Sequence, residues 1–464
     1  MDAHPHADAY SEATDADRAL RLTLLYHPNV RRVGAHAALD ALADGGEVEL
    51  ARDILGFTPA PGDGVTPADG GATLGDPFIS SLPICLRGCD HGGVSIARND
   101  SRTRVRAGDV EIDDIHEVRA DALDEGVVLE LSERIVLLLH RVPALPPPPA
   151  DLPDFDLTGH SVVLDQLRRR LWLALESGAP VLLRGGAGTG KERIARAAHK
   201  TLFGDARPFV HADLGAMPPS LARAELFGAA TDTARHQPGH VQKAHGGTLF
   251  VDRVHRAPSE VQVLLLRLVE TGAIDAIGGH ASTPSEKIDV RLIAATREMT
   301  TERDDVLLQH LTAHEIRLPT LRERRDDIPM LLLHFLRVIL EGAGQADRLR
   351  LPTPSASPWL PARVVARLCR YNWPGNVEEL RSVARRLMVR SRGLPNVEID
   401  PELDETLRAD GGGEGHSVLS ARYLDPGHHA TPLPDQLDRL RDDEGRIKER
   451  DLWEALKNRL RGKK

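Results

Sequence analysis

Gly185-Gly-Ala-Gly-Thr-Gly-Lys191-Glu192 follows the apolar run Ala179–Leu183 and opens a helical stretch. Strand, glycine loop and helix in that order are what a phosphate-binding P-loop requires. Glycines let backbone N–H groups turn inward around a phosphate without Cβ clashes, and the helix N-terminus and Lys191 add positive potential for the β- and γ-phosphates. Gly185, Gly186, Ala187, Gly188, Thr189, Gly190, Lys191 and Glu192 are therefore the candidate nucleotide contacts, with ATP or ADP as the implied ligand. Further on, Gly246-Gly-Thr-Leu-Phe-Val-Asp252 ends a buried strand in a carboxylate, Asp252, suited to Mg²⁺. A hydrolytic site would place a second carboxylate next to it to orient the attacking water, and position 253 is an arginine.

The chain of 464 residues is long enough for roughly three domains. A formal net charge of −10 argues against a generally basic nucleic-acid binder. Three cysteines provide no disulfide framework and fit a reducing cytoplasm. The start Met1-Asp-Ala-His-Pro-His has neither the charge nor the apolar run of a signal peptide, and no apolar stretch is long enough to span a bilayer, so a cytoplasmic protein without a membrane partner is expected.

Pattern changes divide the chain. Residues 1–28 read as a polar tail, with a leucine cluster around Leu20–Leu25 fitting one amphipathic helix. Residues 29–142 carry short apolar alternations between Gly, Asp and Pro clusters (Val48–Leu50, Ile84–Leu86, Val94–Ala97, Val127–Leu131, Ile135–Leu139), the spacing of an all-β sandwich. A Pro-rich linker, 143–156, is expected to hold that domain away from the next. Residues 157–327 alternate apolar strands with helical patterns, which predicts a parallel α/β nucleotide-binding domain, and 328–394 are helical by period. A flexible linker, 395–436, leads to one charged helical stretch, 437–464.

From Leu157 to about Arg392 the chain resembles the AAA+ central domain of bacterial sigma-54-dependent activators. Leu157-Thr-Gly-His-Ser161, Gly185–Glu192 (close to that family's GESGTGKE), Ala224-Glu-Leu-Phe-Gly228, Gly246-Gly-Thr-Leu-Phe, Asp289-Val-Arg-Leu-Ile-Ala-Ala-Thr296, Leu318-Pro-Thr-Leu-Arg-Glu-Arg-Arg-Asp-Asp-Ile-Pro329 and Trp373-Pro-Gly-Asn-Val377 carry the likeness in order. The resemblance implies an α/β P-loop domain with an α-helical lid, assembly into a ring of like or mixed subunits, and ATP-driven remodelling of RNA polymerase bound to sigma-54. It also exposes departures wherever chemistry is done. The Walker B glutamate is Arg253, the asparagine that gates it is Asp213, the sensor asparagine is Arg297 and the lid arginine is Glu378. Asp304 and His310 stand where arginines would reach into a neighbouring site, with Arg303 one residue away. The sigma-54-touching GAFTGA loop is replaced within Ala229–His245. Loss of an arginine finger alone costs roughly 10³–10⁵ in rate. No residue is therefore assigned a catalytic role, while Lys191, the glycines and Asp252 keep the means to hold nucleotide. The four charge changes sum to zero, so Arg253 and Arg297 are expected either to pair with Asp213 and Glu378 or to reflect drift in a site without chemical demand.

The sandwich resembles a forkhead-associated domain. Leu50-Ala-Arg52-Asp, Asp76-Pro-Phe-Ile-Ser80 and Asp100-Ser-Arg102 match that family's loop segments, which implies a phosphothreonine-protein ligand held by Arg52 and Ser80, although Ser81, Pro83 and Thr103-Arg104 depart from the pattern. The alternative is a plain interaction sandwich. At the other end Ile447–Leu456 resembles only the first helix of the helix-turn-helix with which such activators read DNA. Three functions follow: a sigma-54-activator-type regulator that binds ATP with impaired hydrolysis and sigma-54 contact, an active ATPase activator, or a nucleotide-independent adaptor. Cys85, Cys89 and His91 lack the second half of a metal site, and His255 reads as a surface residue.

Overall fold

Two antiparallel sheets form from the alternating N-terminal segments. One runs His36–Ala38, Arg18–Tyr26, Ile135–Pro143, Val127–Leu131, Val105–Ala107, Val110–Ile112, and the other Glu47–Leu50, Ile84–Gly88, Val94–Ala97, Ile115–Val118. Leu22, Leu86, Ile96, Leu129 and Leu137 fill the space between them. This computed structural model describes residues 18–60, 72–146, 149, 151–230, 236–274, 286–297 and 306–408, all within one compact unit, Met1–Gly413. The expected C-terminal helix 437–464, the first residues of the tail, Arg303 and Asp304 lie outside the described residues.

The leucine cluster expected in the tail is a strand. Arg18–Tyr26 pairs along its length with Ile135–Pro143, so the sandwich begins at Arg18 and not at residue 29. Leu22 and Leu24 enter the sandwich core, while Thr23, Leu25 and Tyr26 are equally buried. Leu20, Leu22 and Leu24 alternate with Arg21 and Thr23 in the period of a strand, and only Leu24-Leu25-Tyr26 at its end, where both faces are covered, reads as an apolar run.

What covers the outer face is the lid, and this overturns the expectation that the proline linker holds the sandwich apart. Tyr26 Oη donates to Leu360 O at 2.5 Å. Buried Arg134 pairs with buried Asp76 (3.2 Å) and donates to Ala356 O (2.6 Å) and Pro354 O (2.8 Å). Arg370 reaches Asp109 at 2.7 Å, and Arg325 donates to Glu125 O at 3.1 Å. A linker's stiffness sets reach but does not prevent docking when the surfaces fit.

The α/β domain is a five-stranded parallel sheet in the order Phe209–Asp213, Thr248–Asp252, Arg291–Thr296, Val181–Arg184, Glu315–Arg317. Ser161 caps helix Val162–Glu176 through Leu164 N (3.2 Å). Asp327 accepts from His160 N, Ser161 N and Ser161 Oγ at 2.6–2.9 Å, tying the start of the domain to the start of the lid. The lid comprises Ile328–Gly342, Ala362–Arg370 and Asn376–Arg390 and continues past residue 394 into Pro401–Arg408. Val397 and Leu403 are buried, and Arg386 pairs with Asp400, so residues 395–408 belong to the lid and are not the flexible linker expected there; the rest of that expected linker, 409–436, lies outside the described residues. Among the described residues no helix is long and apolar enough to cross a membrane.

Candidate functional site

In a parallel sheet all strands end on one edge, and ligands collect there. The P-loop follows Val181–Arg184, and Asp213, Asp252 and Arg297 stand at or just beyond the ends of their own strands on the same edge. The lid closes the other side, leaving a cleft of about 1190 Å³ that is lined by the P-loop, Asp252, Arg253, Arg297 and Glu378.

The loop is built to receive an anion. Gly188 (φ 71°) and Gly190 (φ 97°) adopt left-handed backbone, and Gly190 precedes helix Lys191–Phe203 without any side-chain cap. Among the described residues the N–H groups of Gly186, Ala187, Gly188 and Gly190 donate to no protein acceptor. The helix's first N–H groups likewise lack intrahelical partners. Lys191 Nζ donates to Gly185 O and Gly186 O, both at 2.8 Å. Burial pulls its pKa below the ordinary lysine value, with Asp252 opposing and Arg297 assisting the shift. Glu192 also lines the cleft and is bonded to Arg196 at 2.8 Å.

Arg253 has left-handed backbone (φ 55°, ψ 43°), and its N–H caps Asp252 Oδ1 at 2.8 Å. Its guanidinium forks onto Asp213, Nε to Oδ1 at 2.8 Å and Nη2 to Oδ2. Burial works against ionisation of Asp213, yet bonds from Arg253 and from Gly215 N–H together hold its carboxyl below the usual range. The fork lies over Gly215, where a Cβ would fall 2.3 Å from the guanidinium carbon. One of the two expected ion pairs is thus formed. The other is not: Arg297 and Glu378 both line the cleft and both are exposed, and no ion pair joins them.

Residues 157–310 match the family described as the sigma-54 interaction domain, and residues 322–412 match the AAA+ ATPase lid domain. Over these residues the chain belongs to the sigma-54 activator AAA+ family. The DNA-binding transcriptional regulator NtrC of Azospirillum brasilense is 36% identical over 322 residues, covering 64% of this chain and 63% of that protein. NtrC of Escherichia coli (strain K12) is 35% identical over 251 residues, 52% of this chain and 51% of its own. The chain therefore spans between half and two-thirds of the length of these relatives. The crystal structure of NtrX from Brucella abortus in complex with ATP aligns with a TM-score of 0.44 at 31% identity, over 53% of this chain and 54% of that one.

Within the sigma-54 activator module, Trp373-Pro-Gly-Asn376 is the turn that fixes the lid on the P-loop. Trp373 and Asn376 both have φ 53°, and Gly375 N donates to Glu379 Oε2 at 2.7 Å. Asn376 Nδ2 donates to Ala187 O, and its Oδ1 accepts from Leu321 N, both at 2.8 Å. Val377 N donates to Gly188 O at 3.1 Å. Sequence reasoning used this motif only as a family marker and missed its contact with the loop. It also missed Arg381 and Arg385, which line the cleft from the Glu378 face of the same helix at helical spacing. His255 is half-buried and bonded to Thr296 Oγ1 at 2.9 Å, a strut between two strand ends rather than a free surface residue.

In the sandwich, Arg52 and Ser80 are neighbours: Arg52 N donates to Ser80 O at 3.0 Å. Arg52 spends its guanidinium on Ile79 O (2.8 Å) and Pro77 O (3.3 Å), and Ser80 Oγ accepts from Leu82 N at 3.0 Å. Within Ala229–His245, residues 231–235 lie outside the described residues, while Ala229–Ala230 and His236–Gln237 pair as a short antiparallel ribbon. His310 lies on helix Val306–Leu311.

Proposed function

We propose that this protein is a sigma-54-activator-type regulator that responds to nucleotide occupancy rather than to nucleotide turnover. The fork between Arg253 and Asp213 carries the reading. It puts a paired guanidinium where a hydrolytic site needs a carboxylate to orient water, beside a phosphate loop whose donors are intact. The residues fit Mg-ATP or Mg-ADP: unpaired loop N–H groups and the bare helix N-terminus for phosphate oxygens, Lys191 for charge, and Asp252 for the metal. Bound Mg²⁺ would supply charge neutralisation between phosphate oxygens. The chain's own part is to bind and orient. Lys191 leaves two main-chain carbonyls to meet phosphate, and Asn376 with Val377 holds the lid on the loop, so occupancy of the loop bears directly on the lid.

Full-length protein titrated with Mg-ATP in a calorimeter tests this, beside Lys191→Ala and with turnover followed on the same sample. The expected outcome is a dissociation constant on the order of micromolar, abolished by Lys191→Ala, with hydrolysis at background. Absence of binding in the unsubstituted protein would replace this reading with a nucleotide-independent adaptor. Sustained turnover at saturating ATP would make it an active ATPase.

A further inference from the structure

The geometry points to Arg381 and Arg385 as the lid groups that close over the terminal phosphate of a nucleoside triphosphate, making the cleft distinguish triphosphate from diphosphate. This assignment rests on the nucleotide reading above. The first turn of helix Asn376–Arg390 is fixed to the P-loop by Val377 N and Asn376 Nδ2, so the position of its cleft-facing side chains relative to the phosphates is set by the backbone. Glu378, the first of these, presents negative charge toward a site built for anions. Arg381 and Arg385 follow three and seven residues later on the same face and line the same cleft.

Helix side chains lean toward the helix N-terminus, here toward the P-loop. At 1.5 Å of rise per residue, Arg381 starts only about 4.5 Å farther along the axis than Glu378, a gap that the long arginine side chain spans. Of the other arginines that line the cleft, Arg193 pairs with Asp156, Arg196 with Glu192 and Arg253 with Asp213, while Arg297 stands at the sheet edge and not on the lid. Among the described residues no ion pair holds Arg381 or Arg385. A guanidinium offers forked donors that match phosphate, and its effect should be largest on the group farthest from the loop floor.

Calorimetric dissociation constants for Mg-ATP and Mg-ADP, measured on the full-length protein and on Arg381→Ala/Arg385→Ala, Arg381→Lys and Glu378→Gln, decide the matter. Each variant's melting temperature is measured alongside. The double variant should weaken Mg-ATP by about tenfold or more while leaving Mg-ADP within about twofold, and Arg381→Lys should fall between it and the native chain. Glu378→Gln should tighten Mg-ATP. An unchanged ATP-to-ADP ratio in the double variant overturns the assignment and leaves the nucleotide site standing. Equal weakening of both nucleotides with a lowered melting temperature overturns it as well, because it marks a structural role, such as pairing with Glu378 along the helix. No nucleotide binding by the native protein removes this assignment together with the reading beneath it.

Discussion

Arg253 reverses the charge of the position it occupies, and the structure absorbs that reversal locally. A forked contact to Asp213 satisfies both partners at a site about 30% exposed, and Gly215 provides a side-chain-free floor beneath the guanidinium. The two arginine–carboxylate pairs expected from charge balance separate on this ground. Arg253 and Asp213 sit at adjacent strand ends that the sheet register forces together, since Asp213 pairs with Asp252, whereas Arg297 and Glu378 are exposed and nothing in the backbone brings them into register. The Gly215 contact gives a double-mutant cycle. Gly215→Ala should destabilise the native chain by about 1 kcal/mol because the new methyl displaces a held guanidinium, and by much less in an Arg253→Ala background where that group is gone. Denaturant unfolding of the four proteins measures the coupling. Equal costs in both backgrounds would show that the fork is not what Gly215 accommodates.

Among the elements, the lid helix and the turn that precedes it decide how the cleft is closed. Asn376 is buried and bridges Ala187 O and Leu321 N, so Asn376→Ala leaves the buried Leu321 N–H without its partner and releases the Ala187 carbonyl to the cleft, and should cost about 2 kcal/mol, read as a lowered denaturation midpoint. Asp326, at the start of the lid, makes a pH-dependent contribution. Burial, and then the neighbouring Asp327 carboxylate, push it up to about 8, against the opposing pull of Arg21 on the sandwich and Arg324. A carboxyl raised in the folded state is protonated there while the unfolded chain ionises. Its contribution to stability is therefore full below the ordinary value of 3.8 and declines as pH rises to about 8. The melting temperature of the native chain relative to Asp326→Asn should accordingly fall between about pH 4 and about pH 8, and a flat difference would remove Asp326 from the account. The P-loop, the strand carrying Asp252 and the parallel sheet were legible in the sequence because glycine spacing, buried strands and motif order all report on one local arrangement. The strand Arg18–Tyr26 was missed although Leu20, Leu22 and Leu24 alternate with Arg21 and Thr23, because Leu24-Leu25-Tyr26, buried on both faces, breaks that alternation and makes the stretch read as a leucine cluster.

At the scale of the molecule, the docking of the sandwich on the lid left no trace in the sequence for a related physical reason. Three of the acceptors that hold it are main-chain carbonyls, Ala356 O, Pro354 O and Leu360 O, which any residue type supplies, and pairs such as Arg370 with Asp109 use charges that the sequence does not mark as partners. In those three bonds only the donor side carries identity, and two of them come from Arg134. This guanidinium is buried, pairs with the equally buried Asp76, stacks over Phe78 at 4.6 Å and reaches two lid carbonyls, so one side chain links the loop Asp76–Ser80 to the lid. Arg134→Ala should cost about 3–5 kcal/mol, since it strands a buried carboxylate as well as breaking the contact. That loss alone would not separate docking from folding of the sandwich. Arg134→Met combined with Asp76→Asn removes the stranded charge and keeps most of the packing volume, so the sandwich should fold while the lid loses its principal tie. Scanning calorimetry should then resolve two transitions where the native chain is expected to give one, with the α/β domain and its lid melting apart from the sandwich. A single, merely lowered transition in the double variant would mean that Tyr26, Arg325 and Arg370 suffice to couple the two, and that Arg134 braces the sandwich alone.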